Sequence, residues 1–126
     1  MAWVVEFTNE FADWWEGLDE TVQDAIDRSV RLLESRGPTL PFPYSSDVRG
    51  ARNGNMRELR TQIGGEPYRT FYAFDLRRVA ILLIGASKEG EDDARFYERM
   101  TPIADRLYDE HVEQLANEAR RADKEK

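Results

Sequence analysis

Met56-Arg57-Glu58-Leu59-Arg60 and Tyr68-Arg69-Thr70-Phe71-Tyr72 stand on either side of Gly64-Gly65-Glu66-Pro67, and the stretch from Met56 to Asp75 decides the fold. Two such runs around a glycine turn predict a hairpin that carries arginines beside aromatics. Val79-Ala80-Ile81-Leu82-Leu83-Ile84 follows across the short polar turn from Asp75 to Arg78, and then comes Lys88. These connections are too short for crossovers, so the three strands should form an antiparallel meander. The last strand is apolar throughout and is expected to be central or covered on both faces.

Upstream, Trp3-Val4-Val5-Glu6-Phe7 alternates as a first strand, with Trp3, Val5 and Phe7 on one face. Thr8 or Asn9 can cap a short helix holding Phe11, Trp14 and Trp15. A second helix is predicted from an Asp19 N-cap, through Val22, Ile26, Val30 and Leu33 at helical spacing, to the stop at Gly37-Pro38. Together they read as a helical hairpin packed on a sheet. Pro38, Pro41 and Pro43 then lead into Tyr44 to Asn55, expected to be irregular, where Arg49 and Arg52 sit among Gly50 and Gly54. Long loops in compact domains are often functional.

Downstream, a helical pattern begins near Asp92 or Asp93 and runs through Tyr97 and Met100. Thr101-Pro102 suits a fresh N-cap and first-turn proline, so a kink or restart is expected there. Ala104, Leu107, Tyr108, His111 and Leu115 form an apolar stripe beyond it. His111, the only histidine, lies on that stripe and reads as a hydrogen-bonded core residue rather than a catalyst. The expected organisation is one domain over residues 1–116 with a polar tail, 117–126, that frays or is disordered.

The net charge of −7 is unevenly distributed: residues 1–46 carry three basic and nine acidic side chains, residues 47–88 eight and four, and residues 89–126 seven and twelve. An acidic chain is a poor general nucleic-acid binder, so an anionic ligand should meet the central segment. With no cysteine, disulfides and thiolate metal sites are excluded. No stretch approaches the ~20 apolar residues of a membrane span, and the N-terminal residues lack the charged and apolar regions of a signal peptide. A soluble cytoplasmic protein is the simplest expectation.

Several chemistries lack their residues. There is no glycine-rich loop before a Lys-Ser or Lys-Thr pair for nucleotide phosphates, and no pair of histidines for zinc or acid–base exchange. Only Asp47, Glu58, Glu66 and Asp75 lie in the basic segment, too few for a metal-binding carboxylate cluster. What remains is chemistry at a phosphate using Arg, Lys and Tyr, with neither metal nor cofactor. RNA suits it, because the 2′-hydroxyl is a built-in nucleophile and the protein need only align the backbone, stabilise charge and assist proton transfer. Arginine grips two phosphate oxygens and stays protonated. Lysine or tyrosine would move protons only with a lowered pKa.

Met56-Arg57-Glu58-Leu59-Arg60, Arg69-Thr70-Phe71-Tyr72-Ala73-Phe74-Asp75, Arg78, Gly85, Lys88, Tyr97, and Pro102-Ile103-Ala104-Asp105 with Tyr108 and His111 together resemble the RelE/HigB superfamily of bacterial toxins, in its phage-associated HigB-like branch. The resemblance covers roughly Arg49 to Leu115. It implies a RelE-like α+β fold: an N-terminal strand and helical hairpin on a small, mainly antiparallel sheet, with a C-terminal helix. It further implies the toxin of a type II toxin–antitoxin system that cleaves translated mRNA at the ribosome and is neutralised by a helix-turn-helix antitoxin.

By position, Arg69 resembles the arginine that stabilises the scissile phosphate, Lys88 a basic residue after the last strand, and Tyr97 an aromatic at the substrate. Arg60 is a fourth catalytic candidate, and Arg49, Arg52, Arg57 and Arg78 are candidates for binding RNA. Each has a structural alternative: Arg60 pairs with Glu58 or a helix carboxylate, Arg69 supports Asp75, and Tyr97 belongs to the core. The chain departs from many ribosome-dependent members in being acidic and in having Glu58 where several carry lysine. A ParE-like gyrase inhibitor and a non-catalytic antitoxin-binding module are the alternative functions.

Overall fold

The computed structural model describes residues 2–125. Five strands form one sheet in the order β1-β5-β4-β3-β2, built from β1 (Val5–Phe7), β2 (Ser45–Asp47), β3 (Arg57–Ile63), β4 (Glu66–Phe74) and β5 (Ala80–Ser87). β1 runs parallel to β5 and every other pairing is antiparallel. The helical hairpin of α1 (Asn9–Glu16) and α2 (Glu20–Arg36) covers one face, and α3 (Asp93–Lys124) covers the other. The α+β architecture expected from the sequence is the one observed.

The local signals act where they were read. The Thr8 side chain accepts from the Phe11 amide and Asp19 from that of Val22, so each helix starts on a filled N-cap. Gly37, at φ 57, ends α2, and the Trp3 indole packs so closely that no Cβ fits there. Alternation along β4 sends Tyr68 and Tyr72 towards the helical hairpin and Phe71 and Ala73 towards α3. Ile26 and Leu33 of α2 are fully buried against that sheet, each contributing about 1.5–3 kcal/mol of apolar burial.

Four expectations are corrected. Ser45–Asp47 is a strand within the stretch expected to be irregular, its polar residues held by pairing with Leu59, Glu58 and Arg57. α3 runs unbroken through Pro102, and Thr101 is a buried helical residue rather than an N-cap. The first strand is shorter than expected, Val5–Phe7 without Trp3 and Val4, and Phe7 at the sheet's outer edge is 63% exposed. The polar C-terminal stretch is helical as far as Lys124, with its side chains exposed. No described helix is long and apolar enough to cross a membrane.

One irregularity sets the face on which Lys88 emerges. Phe71 pairs with Ile84 but Tyr72 with Leu82, leaving Leu83 as the extra residue of a β-bulge. Ile81 and Leu83 face α3, and after the bulge Ile84 and Ala86 do so, while Gly85 turns to Trp14 of α1. The reversed alternation carries Lys88 onto the α3 side.

Candidate active site

Arg60 of β3 lies directly opposite Arg69 of β4. Both project from the α3 face, where two guanidinium groups would repel each other without a carboxylate between them. Glu58, two residues before Arg60 on the same face, supplies it. Its carboxylate stands 3.5 Å from Arg69 Nε and 4.0 Å from Arg60 Nη1. Its oxygens also accept hydrogen bonds from the Tyr97 hydroxyl at 2.5 and 2.8 Å and from Ser46 Oγ at 3.0 Å.

Lys88 completes the group from the other side. Its ammonium lies 5.4 Å from the Tyr97 ring centroid and 5.9 Å from that of Phe96, and 2.5 Å from Asp93 Oδ1 at the start of α3. Asp93 has its carboxyl held low by Lys88 first, with the Arg69 and Arg60 charges adding to the effect. The three cations therefore share one field. Against them stand Glu58 and Asp93, so the cluster keeps one net positive charge, enough for one phosphodiester.

Burial sets what each group can do. Arg69 is 5% exposed; its Nη1 donates to the Tyr68 carbonyl at 3.0 Å, and its Nε has no hydrogen-bond partner. The Nε is buried against the Glu58 carboxylate, so an incoming anionic oxygen would have to be met by the outer guanidinium nitrogens. Arg60 is partly exposed and rests on the Phe42 ring at 4.9 Å. The Tyr97 hydroxyl is pushed well above the usual tyrosine range, by burial first and Glu58 second. Raised in this way, the hydroxyl favours its protonated form, in which it donates to Glu58.

All four catalytic candidates thus meet at one place. The RNA-binding candidates do not. Arg57 is tied to Asp47 at 2.5 Å and to Ser45 Oγ at 3.1 Å on the opposite face of the sheet. Arg78 sits at the far end of the β4–β5 hairpin, over the Trp3 ring at 5.3 Å, about 20 Å of strand away from Arg69. Arg49 and Arg52 lie beside Tyr97 in a cleft that includes Thr101 and Asp105, and Arg52 pairs with Asp109.

Arg69 pairs with Glu58 and not with Asp75, whose partners are Arg77, at 2.8 and 3.0 Å, and His111, at 2.9 Å. His111 is the hydrogen-bonded structural residue expected. Sequence reading missed Glu58 as the hub and Asp93 as the partner of Lys88. The signal for Glu58 was its i−2 spacing from Arg60, which places both on one face of a strand.

Residues 13–109 match the family described as phage-derived Gp49-like proteins. HigB2 of Mycobacterium tuberculosis H37Rv, a toxin by name, is 35% identical over 103 residues, or 81% of this chain and 51% of its own length. The chain therefore spans about half of that relative. HigB3 of the same organism, also named as a toxin, is 38% identical over 92 residues, covering 73% of this chain and 78% of its own. Among solved structures, a mutant E. coli toxin RelE in the free state matches with a TM-score of 0.53 at 16% identity, over 90% of this chain and 98% of that one. A chain of the RelE–RelB complex of the archaeon Pyrococcus horikoshii matches with a TM-score of 0.53 at 15% identity, over 71% and 99%. These two structures show that the fold is shared. With the sheet, the helices and the relatives all in agreement, the chain belongs to the phage-derived Gp49-like family, within the RelE/HigB superfamily.

Proposed function

We propose that this chain is the toxin of a type II toxin–antitoxin pair and a metal-independent endoribonuclease that cuts translated mRNA at the ribosome. The observation that carries the reading is the convergence of Arg60, Arg69 and Lys88, from three separate segments, on the Tyr97–Glu58 pair. A phosphodiester seated among the three cations would meet Arg69 at its outer guanidinium nitrogens. Charge building on its oxygens as the 2′-hydroxyl attacks phosphorus would then be stabilised by groups already in place. Tyr97 stands next to Lys88, and its hydroxyl proton, held by Glu58, would have to leave that carboxylate to serve an oxygen of the phosphate. The cognate partner is an antitoxin, a reading supported by the RelE–RelB complex among the structural neighbours; a helix-turn-helix portion in it is what the superfamily resemblance implies.

The test is tightly induced expression without the partner, with growth followed and mRNA 5′ ends mapped within minutes. New ends inside translated frames that disappear in Arg69→Ala are expected. Growth arrest with intact mRNA would instead indicate gyrase or another target, and unimpaired growth would leave only the antitoxin-binding role.

A further inference from the structure

The site holds a phosphate's worth of charge but nothing among Arg60, Arg69 and Lys88 distinguishes one nucleotide from another. A second feature adjoins it. α3 carries Asp93, Tyr97 and Thr101 at successive i+4 positions, about 6 Å apart along the helix. Asp93 meets Lys88, Tyr97 meets Glu58, and Thr101 lines a cleft of about 490 Å³ whose other walls are the Tyr97 ring, Pro102, Arg49, Gly50 and Arg52. Tyr97 is therefore the wall shared by the cationic site and the cleft.

The chemistry of the cleft differs from that of the site. Arg52 is already neutralised by Asp109, and Glu98 stands at the rim, so the cleft lacks the charge excess that holds a phosphate. It offers an aromatic ring, and also the Arg49 guanidinium, which has no carboxylate partner among the described residues. Just under its surface lies the Thr101 hydroxyl, buried without a hydrogen-bond partner, which an entering base reaches by shifting the wall. A ring, a guanidinium plane and a spare hydroxyl are what an unpaired base needs for stacking and edge recognition. The cleft is also preorganised. Asp105, 6% exposed, accepts from the Arg52 amide at 2.8 Å, the Asn53 amide at 3.1 Å and Asn53 Nδ2 at 2.8 Å, which pins the loop to α3.

We propose that this cleft is a nucleobase subsite, holding an unpaired base next to the phosphate gripped by Arg60, Arg69 and Lys88. The proposal rests on the RNA-cleaving reading above. It narrows the RNA-binding role of Arg49 and Arg52 to the walls of a base pocket, with Thr101 as the hydrogen-bonding group behind them.

The experiment maps mRNA 5′ ends after brief expression of the full chain and of Arg49→Ala, Thr101→Val and Thr101→Ser. Wild-type ends should show a nucleotide preference at one position beside the cut. Arg49→Ala and Thr101→Val should flatten it about tenfold, the size expected for losing one stacked or hydrogen-bonded base contact, and Thr101→Ser should keep it. A preference left unchanged by both Arg49→Ala and Thr101→Val, or cutting with no preference in the wild type, overturns the subsite and leaves the ribonuclease standing. No new ends in the wild type overturn the ribonuclease and the subsite with it. Should Thr101→Val fail to melt cooperatively, Arg49→Ala on its exposed loop decides alone.

Discussion

The Tyr97 hydroxyl reaches both carboxylate oxygens of Glu58, at 2.5 Å and 2.8 Å, and so fastens α3 to β3. A phenol donating to a carboxylate makes a shorter and stronger bond than a neutral pair. Here the carboxylate is 3% exposed and also faces Ser46, Arg60 and Arg69. Side chains from β2, β3, β4 and α3 are thereby held in register by one acidic residue.

That arrangement predicts strong coupling. Glu58→Ala should destabilise the fold by about 3–5 kcal/mol, because it strands the buried Arg69 guanidinium. Tyr97→Phe should cost about 1–2 kcal/mol. The double variant should lose less than the sum by ~1–2 kcal/mol, measured by urea unfolding. Strict additivity would mean that the pair is adjacent without being coupled.

A second prediction concerns Gly85. Its missing side chain lets the Trp14 ring of α1 lie directly on β5, and a methyl group built at that position overlaps the ring. Gly85→Ala should therefore destabilise by about 1–3 kcal/mol through overpacking. Trp14→Leu placed beside it should recover part of that loss in thermal melts. Equal melting of Gly85→Ala and wild type would show that the indole moves aside freely.

These two contacts mark the limit of what the sequence discloses. The hairpin was legible because Gly64 and Gly65, both at positive φ, make the turn, and because residues alternate on either side. The Thr8 and Asp19 caps and the Gly37 stop were legible because each is a local device. β2 was not, since Ser45-Ser46-Asp47 has no strand character of its own and is ordered by its neighbour. The unbroken helix through Pro102 was not, because packing of Met100, Ala104 and Leu107 overrides one lost backbone bond. Nor was the bulge at Leu83, which decides the face on which Lys88 emerges. Arginine identity alone could not separate Arg69, in the site, from Arg78, at the opposite end of the hairpin.

Asp75 supplies a pH prediction. Burial by itself would raise its carboxyl, but hydrogen bonds from His111, from Arg77 and from the Val79 and Arg77 amides outweigh that and hold it below the usual range. A depressed carboxyl stabilises the fold above its unfolded value of about 3.9, and the contribution is lost as pH falls through the folded value. Asp75→Asn should thus be about 2–3 kcal/mol less stable at pH 7, and the gap should narrow as pH falls below the unfolded value and close once pH is below the depressed folded value. Urea midpoints at neutral and acid pH check this. A gap that persists in acid would trace the loss to packing instead of ionisation.

The last prediction follows from the charge balance at the site. Asp93 is 77% exposed and bonds to Lys88 at 2.5 Å, in the field of Arg60 and Arg69. With Glu58 it offsets two of the three cations, so an arriving phosphate must displace it or share Lys88 with it. The Asp93 carboxylate is largely solvated although Lys88 is not, which weakens the pair, and removing the acid should strengthen RNA binding only modestly. Asp93→Asn should raise affinity for single-stranded, 2′-O-methylated RNA about two- to fivefold at low salt. The slope of log K against log salt should steepen by ~0.7, the value for one more phosphate contact on a single strand. Fluorescence anisotropy across a salt series measures both quantities, with Lys88→Ala as the opposite control. Weaker binding by Asp93→Asn would show that the carboxylate aims the Lys88 ammonium at the phosphate, making it a positioning residue instead of a competitor.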